Sequence, residues 1–84
     1  MRFVYCYQMK EDPGAIQRAA PEHAAYWHQL GLPEYVGGPF EDRSGGLIVF
    51  DAPTQARASA LLADDPFRGA GLLTDWWLKA WIPE

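Results

Sequence analysis

The chain has 84 residues, a mass of 9.4 kDa and a formal charge of −4, with 49% hydrophobic, 14% aromatic and 21% charged residues. That length holds a single domain, residues 1–84, and the apolar fraction excludes a disordered chain. The lone Cys6 excludes an internal disulfide and a multi-cysteine metal site, and seven basic residues scattered singly at a pI near 5.0 argue against nucleic acid or an anionic membrane as partner.

Arg2 to Gln8 is rich in aromatic and β-branched residues and predicts a first strand, ended by the turn signal Asp12-Pro13-Gly14. Its two faces, Phe3/Tyr5/Tyr7 and Val4/Cys6, are both apolar. From Ala15 the pattern becomes helical. Pro21 interrupts it, so a short lead-in should give way to a main helix from Pro21 to about Leu30, closed by Gly31. On that helix His23, Tyr26, Trp27 and Leu30 share one face.

Glu34 to Gly38 predicts a short second strand, ending at Gly37-Gly38-Pro39-Phe40, and Leu47 to Ala52 a third, joined to it as a hairpin through a longer loop. Thr54 is suited to cap a second helix over Gln55–Ala63, which ends at Asp64-Asp65-Pro66-Phe67 because the residue before a proline is pushed out of the α region. After the Gly69-Ala70-Gly71 bend, Leu72 to Ile82 predicts a final strand, with Trp76/Leu78/Ile82 on one face and Leu73/Trp77/Trp81 on the other.

The order β-α-β-β-α-β is the ferredoxin-like α+β arrangement, a four-stranded antiparallel sheet with two helices on one face. An antiparallel sheet usually turns polar residues to its uncovered face, yet three of these strands are apolar on both sides. The chain carries four Trp, four Tyr and four Phe, whereas a domain of this size buries only roughly 60–65% of its unfolded surface. The strand assignments put much of that aromatic surface on the face away from the helices. A second copy of the sheet, packed face to face as a homodimer, is the simplest cover.

No stretch approaches the length of a spanning helix, and the apolar start runs into Gln8, Lys10, Glu11 and Asp12 instead of a signal-peptide core, so the expected location is cytoplasmic. Taken alone, His23 reads as a half-buried histidine beside the core. Asp65 reads as the cap of a short turn opening at Pro66. Yet Asp64 and Asp65 also place negative charge at the end of a helix whose dipole opposes it, a locally unfavourable choice of the kind found at functional sites. Gly37-Gly38-Pro39 marks a turn or bulge that would also let backbone approach a substrate oxygen. His28 falls off the His23 face and is expected in solvent, and with no cysteine or second histidine in ligand register no metal site is expected.

Four segments in order, Pro21-Glu-His-Ala-Ala-Tyr-Trp, Gly37-Gly-Pro-Phe, Ala63-Asp-Asp-Pro-Phe and the Gly69-Ala-Gly-Leu bend, together with the closing Trp81-Ile-Pro, resemble the YCII-related (YciI-like) family. The resemblance spans essentially the whole chain. It implies a dimeric α+β barrel with a His–Asp pair in a pocket, His23 and Asp65 here, with Gly38 and Pro39 at the family's glycine-proline turn. It also implies an enzyme without a cofactor acting on a small molecule, since the family includes a dehydrochlorinase of a hydroxylated chloroaromatic and shares its fold with muconolactone isomerases. The expected chemistry is proton abstraction coupled to elimination or isomerisation on a small cyclic or phenolic compound. His23 acts as base or acid, Asp65 orients it, and Gly38, Pro39, Tyr26 and Asp64 contribute to substrate binding. The chain departs from the pattern at Ala20, where many relatives carry Arg; its nearest arginine is Arg18. The alternative reading is a dimeric module that binds a small molecule or serves as an accessory subunit without catalysis.

Overall fold

The computed structural model describes residues 1–84. Strand β1 (Arg2–Met9) leads into helix α1 (Pro13–Gln29); β2 (Val36–Pro39) and β3 (Gly45–Asp51) follow, then α2 (Gln55–Ala63), a single helical turn α3 (Pro66–Gly69) and β4 (Leu73–Trp81). The sheet order is β2-β3-β1-β4 with every neighbouring pair antiparallel, the ferredoxin-like α+β fold.

Local chemistry explains most boundaries. The Asp12 carboxylate accepts from the Ala15 amide at 3.2 Å and Pro13 occupies the first turn, so the expected turn at Asp12-Pro13-Gly14 is instead a helix start. The break expected at Pro21 does not occur either. Gln17 and Pro21 are both exposed, and the carbonyl that loses its amide partner can turn to water. The predicted lead-in and main helix are therefore one 17-residue helix. Gly31, at φ +59°, ends it as expected. Thr54 Oγ1 caps α2 through the Arg57 amide at 3.1 Å, and α2 has the expected bounds.

The pairings also correct the face assignments. Side chains directly opposite one another share a face, and Tyr5 lies between Ile48 and Leu78 while Tyr7 lies between Gly46 and Trp76. Phe3, Tyr5, Tyr7, Ile48 and Phe50 therefore point to the helices, where they close a core with Trp27, Ala58, Leu61, Leu62 and Phe67. Leu73 joins that core and not the Trp77/Trp81 face, because a register shift between Gln8 and Met9 pairs it with Met9. Ile82 lies beyond β4.

Most of the aromatic residues thus lie on the helix side, contrary to the expected concentration on the open face. What the open face carries is Val4, Cys6, Leu47 and Val49 half-buried by their neighbours, with Val36, Trp77 and Trp81 70%, 42% and 48% exposed. It remains apolar. Arg2 closes one end, bonded to Asp51 at 3.0 Å and 3.8 Å from Glu34. No helix is long and apolar enough to cross a membrane.

Candidate active site

Three elements bring their side chains to one point. On α1, His23 falls four residues before Trp27, which anchors the helix in the core, so His23 sits on the same face one turn nearer the helix start. Asp65 precedes Pro66 and caps α3: its Oδ1 accepts from the Phe67 amide at 2.9 Å. The same Oδ1 accepts from His23 Nδ1 at 2.7 Å, and Oδ2 accepts from the Trp27 indole N–H at 3.1 Å. Asp65 is fully buried, so its charge is held by three donors in place of water.

Because both carboxylate oxygens act as acceptors, the proton of the His23–Asp65 bond lies on Nδ1, and in the neutral imidazole Nε2 is then the nitrogen with the lone pair. From β1 the Tyr7 hydroxyl approaches Nε2 to 3.5 Å, the outer limit of a hydrogen bond. The Phe67 ring stacks on the imidazole with centroids 4.0 Å apart and 12° between planes, which fixes the ring's orientation. Burial, followed by the nearby Asp65 charge, pushes the Tyr7 phenol up to about 12. The same two causes raise Tyr5 and Tyr35. These phenols stay protonated around the one buried carboxylate.

Room for Tyr7 comes from two glycines at the start of β3. A Cβ on Gly45 would run into the Tyr7 backbone carbonyl, and one on Gly46 would run into the Tyr7 ring and hydroxyl. This pair, expected in the loop, instead pairs with Gln8 and Tyr7 as part of β3.

His23 and Tyr7 open onto a pocket of about 330 Å³ between α1 and the sheet end formed by β1, β2 and β3. Ile16, Ala20, Ala24 and His28 of α1 form one wall, Gly37, Gly38 and Pro39 of β2 the other, with Met9, Tyr35, Gly45 and Phe67 between and Arg43 at the loop. Apolar and aromatic walls with a few converging polar groups suit a small planar ligand. No cluster of three or more His, Cys, Asp or Glu side chains that could hold a metal is present.

The structure thus brings together His23, Asp65, Gly38 and Pro39. Tyr26 and Asp64 stand apart. The Tyr26 hydroxyl donates to the Leu61 carbonyl at 2.5 Å, tying α1 to α2, and Asp64 is an exposed residue capping the end of α2. Neither lines the pocket. His28, expected in solvent, is exposed yet forms part of the pocket wall, edge-on to Tyr35 with centroids 5.5 Å apart. Ala20 also lines the pocket, so the departure from the family pattern falls inside it. Tyr7, Phe67 and Arg43 were not singled out for the site by sequence reasoning. Alternation marks Tyr7 only as a core residue, and no local pattern ties a loop arginine to a pocket.

A family model for the YCII-related domain matches residues 1–82. No curated protein matches the chain in sequence. Among solved structures, the 5-chloro-2-hydroxyhydroquinone dehydrochlorinase TftG of Burkholderia phenoliruptrix AC1100, in complex with 2,5-dihydroxybenzoquinone, superposes with a TM-score of 0.84 at 22% identity over 98% of this chain and 94% of that one. An antibiotic biosynthesis monooxygenase superposes at 0.64 with 13% identity over 98% of both chains. A variant of SnoaB, a cofactor-independent oxygenase from Streptomyces nogalater, does so at 0.54 with 15% identity over 99% and 93%.

Proposed function

This chain belongs to the YCII-related domain family, and from that premise we propose that it is an enzyme of the lyase or isomerase type that moves a proton on a small cyclic or phenolic compound. The observation that carries the reading is the polarised histidine: Asp65 holds Nδ1 at 2.7 Å while Nε2 faces a pocket beside the Tyr7 hydroxyl.

In this reading Nε2 removes an acidic C–H or O–H proton from the bound ring. The imidazolium that forms is stabilised by the buried Asp65 carboxylate, which needs no reorganisation because its donors already hold it. The electron pair released moves into the ring. From there it either expels a leaving group such as chloride, an elimination, or is reprotonated at another carbon by the imidazolium, an isomerisation. Tyr7, kept neutral by burial, is placed to donate to a developing oxyanion. The dehydrochlorinase resemblance favours the elimination.

The protein acts as a homodimer in this proposal. The open sheet face, with Val36, Val49, Val4, Trp77 and Trp81 on it beside the single Lys79, supports a second copy as its cover, and the lone cysteine suits a reducing, cytoplasmic setting.

Chloride release from 5-chloro-2-hydroxyhydroquinone tests the reaction. Wild type should release chloride, and His23→Gln should lose roughly 10²–10⁴-fold in rate while remaining folded by circular dichroism. If wild type binds hydroxylated ring compounds but turns none over, and His23→Gln binds them equally well, the protein is a binding module and the catalytic reading fails.

A further inference from the structure

The pocket carries one charged feature that the proton-transfer chemistry does not use. Met9, Ile16, Ala20 and Arg43 line both the pocket and a second cleft that runs outward between β1, the start of α1 and the β2–β3 loop. These four residues therefore form the passage between the two. Three of them are uncharged, and the small Ala20 leaves the passage open. Arg43 is the only side chain with a permanent positive charge in the pocket wall.

No carboxylate of the chain pairs with it. The ion pairs of the protein are those of Arg2 with Glu34 and Asp51, and the buried Asp65 is held by His23; Arg43 has no such partner. Of the acidic groups nearest in sequence and along the cleft, Asp42 accepts from the Ser44 amide at 3.0 Å and from its hydroxyl at 2.6 Å, Asp12 caps α1, and neither Glu11 nor Glu41 forms an ion pair with Arg43. The backbone at Arg43 is also left-handed, at φ +63°, a conformation that favours glycine or asparagine. The loop therefore keeps a bulky cation where its own geometry would prefer none.

We propose that Arg43 is the anion-recognising residue of the pocket, and that the ligand is a ring compound carrying a carboxylate, bound with that carboxylate at the passage and its ring between α1 and β2. A guanidinium presents two parallel N–H donors to a carboxylate, a match that a phenol or an amide does not offer. Ala20, which marks the passage, lies three residues before His23, about 4.5 Å along the helix axis. A single ring can span that step, so the carboxylate sits at one end and the proton to be moved at the His23 end. This assignment rests on the pocket of the proposed function and narrows its substrate class.

Isothermal titration of wild type with a dihydroxybenzoate and with the corresponding dihydroxybenzamide tests it. Wild type should bind the carboxylate about tenfold more tightly than the amide, with the preference shrinking as salt is raised. Arg43→Gln and Arg43→Gly should each reduce the preference to below about twofold by weakening the carboxylate alone. The glycine variant also relieves the left-handed backbone, so the loop stays folded. His23→Gln should keep the preference. Equal binding of the two probes by wild type, a preference that survives in both Arg43 variants, or its loss in His23→Gln overturns the assignment while leaving the pocket intact. Failure of wild type to bind either probe overturns the pocket reading itself and this assignment with it.

Discussion

At the scale of single residues, Asp65 has two duties that cannot be separated. Its carboxylate orients His23, and the same two oxygens satisfy the Trp27 indole and the Phe67 amide inside the core. Replacing it with alanine strands buried donors, each costing on the order of 1–3 kcal/mol when left unsatisfied. Asp65→Ala should therefore lose roughly 3 kcal/mol in urea denaturation, while His23→Gln, which leaves Asp65 with two donors, should lose about 1 kcal/mol. Comparable losses in the two variants would mean that the core does not depend on the carboxylate. The sequence shows Asp65 as a cap and, through the family resemblance, as the partner of His23. It does not show the Trp27 contact, because an indole N–H reaching across from another helix leaves no local trace. Tyr7 is hidden for a related reason: strand alternation gives the face of a residue but not which end of the sheet opens into a pocket.

Among the elements, β3 decides the site more than its length suggests. Its two leading glycines pack against different parts of Tyr7: a Cβ on Gly45 would run into the backbone carbonyl oxygen, and one on Gly46 would meet the ring and hydroxyl first and the Gly38 carbonyl oxygen, at 2.7 Å, less severely. A backbone atom held in a ladder cannot yield, whereas a side chain can swing aside. Gly45→Ala should therefore destabilise the fold the more strongly, by roughly 2 kcal/mol or more as for other overpacked positions. Gly46→Ala should fold but displace the Tyr7 hydroxyl, so its catalytic loss should match that of Tyr7→Phe and add little to it in the double variant, as coupled neighbours do. An additive double variant would place the effect of Gly46 elsewhere. The order of elements and the bounds of α2 are legible from patterning and caps. The unbroken α1 is not, since the tolerance of Pro21 depends on which side of the helix meets water. Nor is the start of β3, since glycines read as loop until a neighbouring strand is seen to need the space.

For the whole molecule, the open face of the sheet is the surface on which the proposed homodimer would form. Light scattering should give twice the 9.4 kDa chain mass at micromolar concentration. Val49→Asp, a charge set at the centre of that face opposite Val4 and Val36, should return it to a single chain. A monomeric wild type refutes the homodimer. A Val49→Asp protein that remains dimeric moves the interface to another surface. That β1 carries apolar residues on both faces is readable from its sequence. The distribution of aromatic residues is not, because it depends on register, and the shift at Gln8/Met9 carries Leu73 into the core.

The shared carboxylate of Asp65 also bears on how such a protein would change over generations. A lineage released from selection for catalysis is free to alter His23 or Arg43 at little structural cost. It is not free to alter Asp65, since losing the acceptor of buried donors would take a large share of a small domain's stability before any drift in activity mattered. In descendants of this chain an aspartate at position 65 would thus outlast the chemistry proposed for it, and position 23 would be the one that records whether such chemistry is still under selection.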